Sequence, residues 1–131
     1  MNPNAHIEPQ EDVEDHLMRL RETLRDENCE LDISPLKKGQ SDTDRYSTLY
    51  TMNVLEYDSE DIKRELMNLT VADYIENIKD SKHPGRNDFH VFGKCISGKE
   101  VYIKEKLRTN LKVFCISFHF AEFPLKARPY C

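Results

Sequence analysis

Five residues in the last third of the chain could together handle a phosphodiester: Tyr102, Lys104, Lys106, Ser117 and His119. Cutting such a bond without a metal takes three things. One group removes a proton from the attacking hydroxyl, another protonates the leaving oxygen, and cations offset the charge that grows on phosphorus. An imidazole with an ordinary pKa of about 6.5 suits the proton transfer near neutrality. We therefore assign His119 as general acid or base, and Tyr102 as the group that positions the attacked phosphate or donates to it. Lys104, with Lys94, neutralises that phosphate. Lys106 and Ser117 would contact the same backbone, and Arg86 would do so from the loop upstream.

Strands must position these side chains. Three runs rich in aromatic and β-branched residues, 89–96, 101–107 and 112–120, are separated by Ser97-Gly98-Lys99 and Arg108-Thr109-Asn110. That pattern predicts a three-stranded antiparallel meander. Side chains alternate between faces with period two. In the third run Phe114, Ile116, Phe118 and Phe120 are expected on a core face, and Val113, Cys115, Ser117 and His119 on the other. The second run splits Val101, Ile103 and Leu107 from Tyr102, Lys104 and Lys106. Strand rise puts Tyr102 and Lys104 about 7 Å apart. If the last two runs pair as a hairpin, His119 can lie across from them.

Upstream, Glu8-Pro9 opens a helix whose apolar stripe is Val13, Leu17, Leu20 and Leu24. Residues 30–34 read as a short edge strand ended by Pro35. The loop 36–43 holds Lys37, Lys38 and Gly39, too short a signal for a phosphate loop. Asp42 or Asp44 should cap a helix running to Leu55, and a second helix should begin at Ser59, with Ile62, Leu66 and Leu69 inward. Thr70 should cap a last short helix through Val71, Tyr74, Ile75 and Ile78. Residues 79–88 form a polar connection with a turn at Pro84-Gly85, and residues 1–7 are expected to be irregular and mobile. The sum is one α+β domain over 1–131, mainly helical and acidic through 8–82 and a basic β-meander through 83–131, with helices packed on one face of a small antiparallel sheet.

Charge supports that division. Residues 1–82 carry ten Lys/Arg and twenty Asp/Glu, a balance of −10, whereas residues 83–131 carry nine and four, a balance of +5. A basic half can meet phosphates even on a chain of net charge −5, because the local field is what a polyanion encounters. No apolar run is long enough to span a membrane, and the acidic N-terminus shows no secretory h-region. Cys29, Cys95, Cys115 and Cys131 lack framework spacing, so they are expected to be reduced thiols of a cytoplasmic protein. His90, Cys95, Cys115 and His119 are residue types that bind zinc, but the paired spacings of a structural zinc site are missing; no metal and no cofactor are expected.

The segments VFGKCISGKEVYIKEKL and CISFHFAEFPLK, with LTVADYIEN upstream, resemble the C-terminal signature of MqsR-type toxins of toxin–antitoxin modules. The resemblance covers roughly residues 13–126. It implies a RelE-like ribonuclease fold, metal-independent cleavage of mRNA, and control by a cognate antitoxin protein. The family's catalytic tyrosine falls on Tyr102, and the basic residue that follows Ser-Phe on the last strand falls on His119. Two family residues are absent: a lysine, where this chain reads Asp73-Tyr74-Ile75-Glu76, and a glutamine, where it reads His90-Val91-Phe92. A module of the same fold that binds RNA or protein without cutting is the alternative.

Overall fold

A computed structural model describes residues 2–83 and 85–131. Its elements in chain order are β1 (Ala5–His6), α1 (Gln10–Arg25), β2 (Glu30–Ile33), α2 (Thr48–Leu55), α3 (Ser59–Met67), a 3₁₀ turn (Val71–Asp73), β3 (Tyr74–Ile78), β4 (Phe89–Ile96), β5 (Lys99–Arg108) and β6 (Lys112–Phe120). The α+β class is as expected, but the meander β4–β5–β6 is the centre of a larger six-stranded sheet, ordered β1-β3-β4-β5-β6-β2. All neighbours are antiparallel except β2, which runs parallel to β6. The expected turn at Pro84 lies outside the described residues.

Local chemistry accounts for the helices. In α1 the stripe Val13, Leu17, Leu20 and Leu24 is buried, with His16 beside it. α2 starts later than expected, at Thr48. The hydroxyl of Ser47 accepts from the Tyr50 N–H at 2.9 Å and caps it, while Asp44 is used in a preceding turn, accepting from the Tyr46 N–H. α3 begins at Ser59 as expected, but the cap is Asp58, in a reciprocal capping box with Asp61. Ile62, Leu66 and Leu69 join α1 and the inner sheet residues Phe92, Val101, Ile103, Val113, Cys115, Phe118 and Phe120 in one core.

Two expectations fail. The helix over 71–78 is a single 3₁₀ turn followed by strand β3, because β1 and β4 flank this segment and take its backbone hydrogen bonds. The spacing of Val71, Tyr74, Ile75 and Ile78 mimicked a helical stripe, but aromatic and β-branched residues also suit a strand once neighbours exist. Residues 1–7 are likewise not wholly irregular: Ala5 and His6 pair with Ile78 and Asn77 as an edge strand, and the Lys79 N–H donates to the Asn4 carbonyl.

Candidate functional site

Cross-strand register decides which side chains share a face. Tyr102 lies opposite His119, and Lys104 opposite Ser117. These four share the sheet face turned away from α1 and α3. Between Lys104 and Glu105 the register slips by one residue of β6, so Ile116 is a bulge. This overturns the expected inward set. Val113 and Cys115 are fully buried in the core, whereas Phe114 lies on the open face, against Phe89 and beneath the Arg108 guanidinium. Alternation read without the bulge was right for Ser117–Phe120 and inverted for Val113–Cys115.

The end of β6 that carries Ser117 and His119 extends beyond β2, whose ladder reaches only to Cys115. α2 supplies the missing partners: the Thr48 hydroxyl accepts from the Phe118 N–H at 3.0 Å, and the Thr51 hydroxyl from the Phe120 N–H at 2.9 Å. Two threonines one helical turn apart thus replace a neighbouring strand. After Phe120 the tail crosses the open face, and Arg128 donates to the Gly93 carbonyl at 3.1 Å. A side chain at Gly93 would have its Cβ 2.5 Å from a Leu125 methyl, so the Leu125 side chain would have to shift.

Tail and sheet enclose a cleft of about 510 Å³ whose polar lining includes Lys37, Glu76, Tyr102, Lys104, Ser117 and His119. The Tyr102 and His119 rings are stacked, with centroids 5.3 Å apart. The His119 Nδ1–H donates to the Phe120 carbonyl at 2.9 Å, which leaves the Nε2 lone pair free to accept a proton. Burial holds the imidazole below its ordinary pKa, with the Lys37 charge adding to the effect. Burial, and then the Glu76 carboxylate, push the Tyr102 phenol up to about 12, so at neutral pH it is a donor and not a base. Lys104 is lowered by burial and then by Lys37, and Lys37 itself is lowered by burial. Cations crowded into a partly desolvated cleft favour an anion. Glu76 opposes them, and Lys126 pairs with it at 3.0 Å.

Of the other named residues, Lys94, Lys106 and Arg86 do not join this set. Lys94 lies opposite Val101, on the helix-facing side, and pairs with Glu65 of α3 at 3.1 Å. Its assignment to the phosphate is corrected: β4 alternation turns Gly93, not Lys94, toward Tyr102. Lys106 is on the open face, but its side chain is 1% exposed and ion-paired with Asp80, so it is not free to meet a ligand. Ser117 lines the cleft with little exposed surface. Arg86 borders a separate groove with Arg108 and Lys112. The four zinc-binding residue types named above are also split. His90 and Cys115 are on the helix-facing side, Cys95 and His119 on the other. All four cysteines are free.

Sequence reasoning missed Lys37 and Glu76. Lys37 follows β2, whose parallel pairing with β6 delivers the loop to the end of the sheet where His119 lies. The Lys37-Lys38-Gly39 cluster after Pro35 was the available signal. Glu76 was placed on a helix, and only β3 turns it to the open face, opposite Val91. Among the described residues no helix is long and apolar enough to cross a membrane. No family model, curated protein or solved structure matches this chain.

Proposed function

We propose that the open-face cleft binds RNA and cuts it without a metal, as the toxin of a type II toxin–antitoxin pair acting on mRNA in the cytoplasm and held in check by its antitoxin protein. The observation that carries the reading is the stacked Tyr102–His119 pair beside Lys104 and Lys37 in one cleft. His119 Nε2 takes the proton of a ribose 2′-hydroxyl, and the 2′-oxygen attacks the adjacent phosphorus. Lys104 and Lys37 offset the charge on the phosphorane. The Tyr102 hydroxyl, kept protonated by burial and Glu76, gives its proton to the departing 5′-oxygen and is reprotonated from solvent. The products are a 2′,3′-cyclic phosphate and a 5′-hydroxyl end.

The test incubates purified protein with RNA in EDTA and reads the product ends. Cleavage giving cyclic phosphate, lost in His119→Ala and reduced in Tyr102→Phe, supports the reading. RNA that stays intact while bound favours the second reading, a binding module of the same fold. A specific observation favours a protein over RNA as the partner of such a module: the Glu76 carboxylate stands in the cleft, where it repels phosphate.

A further inference from the structure

The opposite face of the sheet carries a second concentration of chemistry that the cleft does not use. His90 of β4 and Glu105 of β5 are directly opposite each other, and α1 lays His16 over them. His16 Nε2 is 2.5 Å from Glu105 Oε1, and the two imidazole rings are face to face, centroids 3.5 Å apart. One potential ligand atom from each of the three residues lies within 4.8 Å of the others. Two of the polar atoms here are orphans: Glu105 Oε2 and His90 Nδ1 are buried without a hydrogen-bond partner. Glu105 is 0% exposed, and a carboxylate oxygen left unpaired at that depth is costly.

We infer that His16, His90 and Glu105 form a binding site for a divalent first-row transition metal such as Zn²⁺. Two imidazoles and one carboxylate are a borderline donor set that suits zinc and its neighbours and does not suit the oxygen-seeking Mg²⁺ or Ca²⁺. An ion here would engage the orphaned Glu105 oxygen and replace the two-centre contact with His16. The surroundings favour a cation: a pocket of about 280 Å³ opens over the two histidines, with Glu8, Asp12 and Asp88 on its wall against the single cation Arg19. That pocket gives an entry path and room for a water at the remaining coordination position. Behind the site the Asn77 amide nitrogen donates to His90 Nε2 at 3.3 Å while Tyr74 donates to the amide oxygen, so ligation through His90 Nδ1 requires the ring proton to move to Nε2 and this Asn77 contact to open. Imidazole lone pairs lie in the ring plane, and the rings are only 4° from parallel, so binding includes a turn of one ring out of the stack. The site is independent of the cleavage reading, since it lies across the sheet from Tyr102 and His119.

The test titrates untagged, chelator-treated protein with Co²⁺, then displaces it with Zn²⁺. Expected are visible d–d absorption saturating at one equivalent, its loss on adding Zn²⁺, and a Zn²⁺-dependent rise in Tm. Glu105→Gln and His90→Gln should weaken Co²⁺ binding by more than the ~10–100-fold typical of outer-shell changes. Should those variants fail to fold, imidazole ¹⁵N spectra of the unaltered protein decide: Zn²⁺ must move the ring nitrogens of His16 and His90. No saturable Co²⁺ spectrum, or zinc shifts confined to His6, His83 or His119, overturns the site. RNA cleavage in EDTA is read separately, so either proposal can fail alone.

Discussion

The two faces of the sheet each hold a partly buried histidine, and they do so differently. On the helix-facing side His90 is enclosed against His16, and burial, with the neighbouring imidazole second, pushes its pKa down to about 2. On the open side His119 is also lowered by burial, but it sits in a cleft with Tyr102, Lys104 and Lys37 and keeps one nitrogen free. The first arrangement lacks partners that an ion could supply. The second has its scaffold contact satisfied and its reactive edge open. Under the two proposals, a histidine's address in the sheet, more than its presence, separates a ligand from a proton carrier.

The largest effect should come from the open face. His119→Ala is expected to lower RNA cleavage about 10²–10⁴-fold, the usual range for removing a general acid–base group, while the far-UV circular dichroism stays unchanged. The pH profile sharpens this. Because burial lowers the His119 pKa, the base form persists to lower pH, so the acidic limb of the rate should have its midpoint below the ordinary value of about 6.5. A limb centred at or above that value would assign the proton transfer elsewhere.

Next in size is the buried ion pair of Lys106 and Asp80, with side chains 1% and 7% exposed. Asp80→Ala strands a buried ammonium and should cost about 3–5 kcal/mol of stability, read by urea unfolding. Burial alone would raise the Asp80 carboxyl, but the hydrogen bond and charge of Lys106 outweigh it, and the pKa is lowered. The pair's contribution is therefore present above the ordinary carboxylate range and is lost as pH falls through the lower folded value. If cleavage fell as far as stability did, Lys106 would belong to the site after all.

What the sequence disclosed, and what it hid, follows the reach of each interaction. The strands β4, β5 and β6 and the stripe of α1 were legible because alternation and helical spacing are local signals. Tyr102 and His119 could be placed together because a short hairpin loop constrains its own strands. The Ile116 bulge, which turns Cys115 inward and Phe114 outward, has no marker such as glycine. The strand character of Tyr74–Ile78 depends on β1, near the N-terminus, and on β4, across the following connection. His16 and Glu105 are 89 positions apart, so no local spacing could announce the proposed metal site. Lys94 was misplaced for a simpler reason: the parity of β4 sets its face, and opposite Val101 that face is the helix side.

The smallest effect asks how far the open-face site depends on the helical side. Thr51→Val keeps the shape of the side chain and removes the oxygen that accepts from the Phe120 N–H at 2.9 Å. An unpaired buried N–H costs about 1–3 kcal/mol, so a moderate fall in Tm is expected from any structural role. The position of Phe120 adds a second consequence. Its carbonyl is the acceptor that fixes the His119 ring, so loosening this residue frees the imidazole to rotate and to exchange tautomers. Cleavage in Thr51→Val should then fall by more than the loss of folded protein explains, with kcat reduced and KM nearly unchanged. Thr48→Val, which frees the Phe118 N–H on the far side of His119, should lower stability comparably and spare kcat. Equal losses of kcat in the two variants would mean that α2 braces the sheet without orienting the histidine.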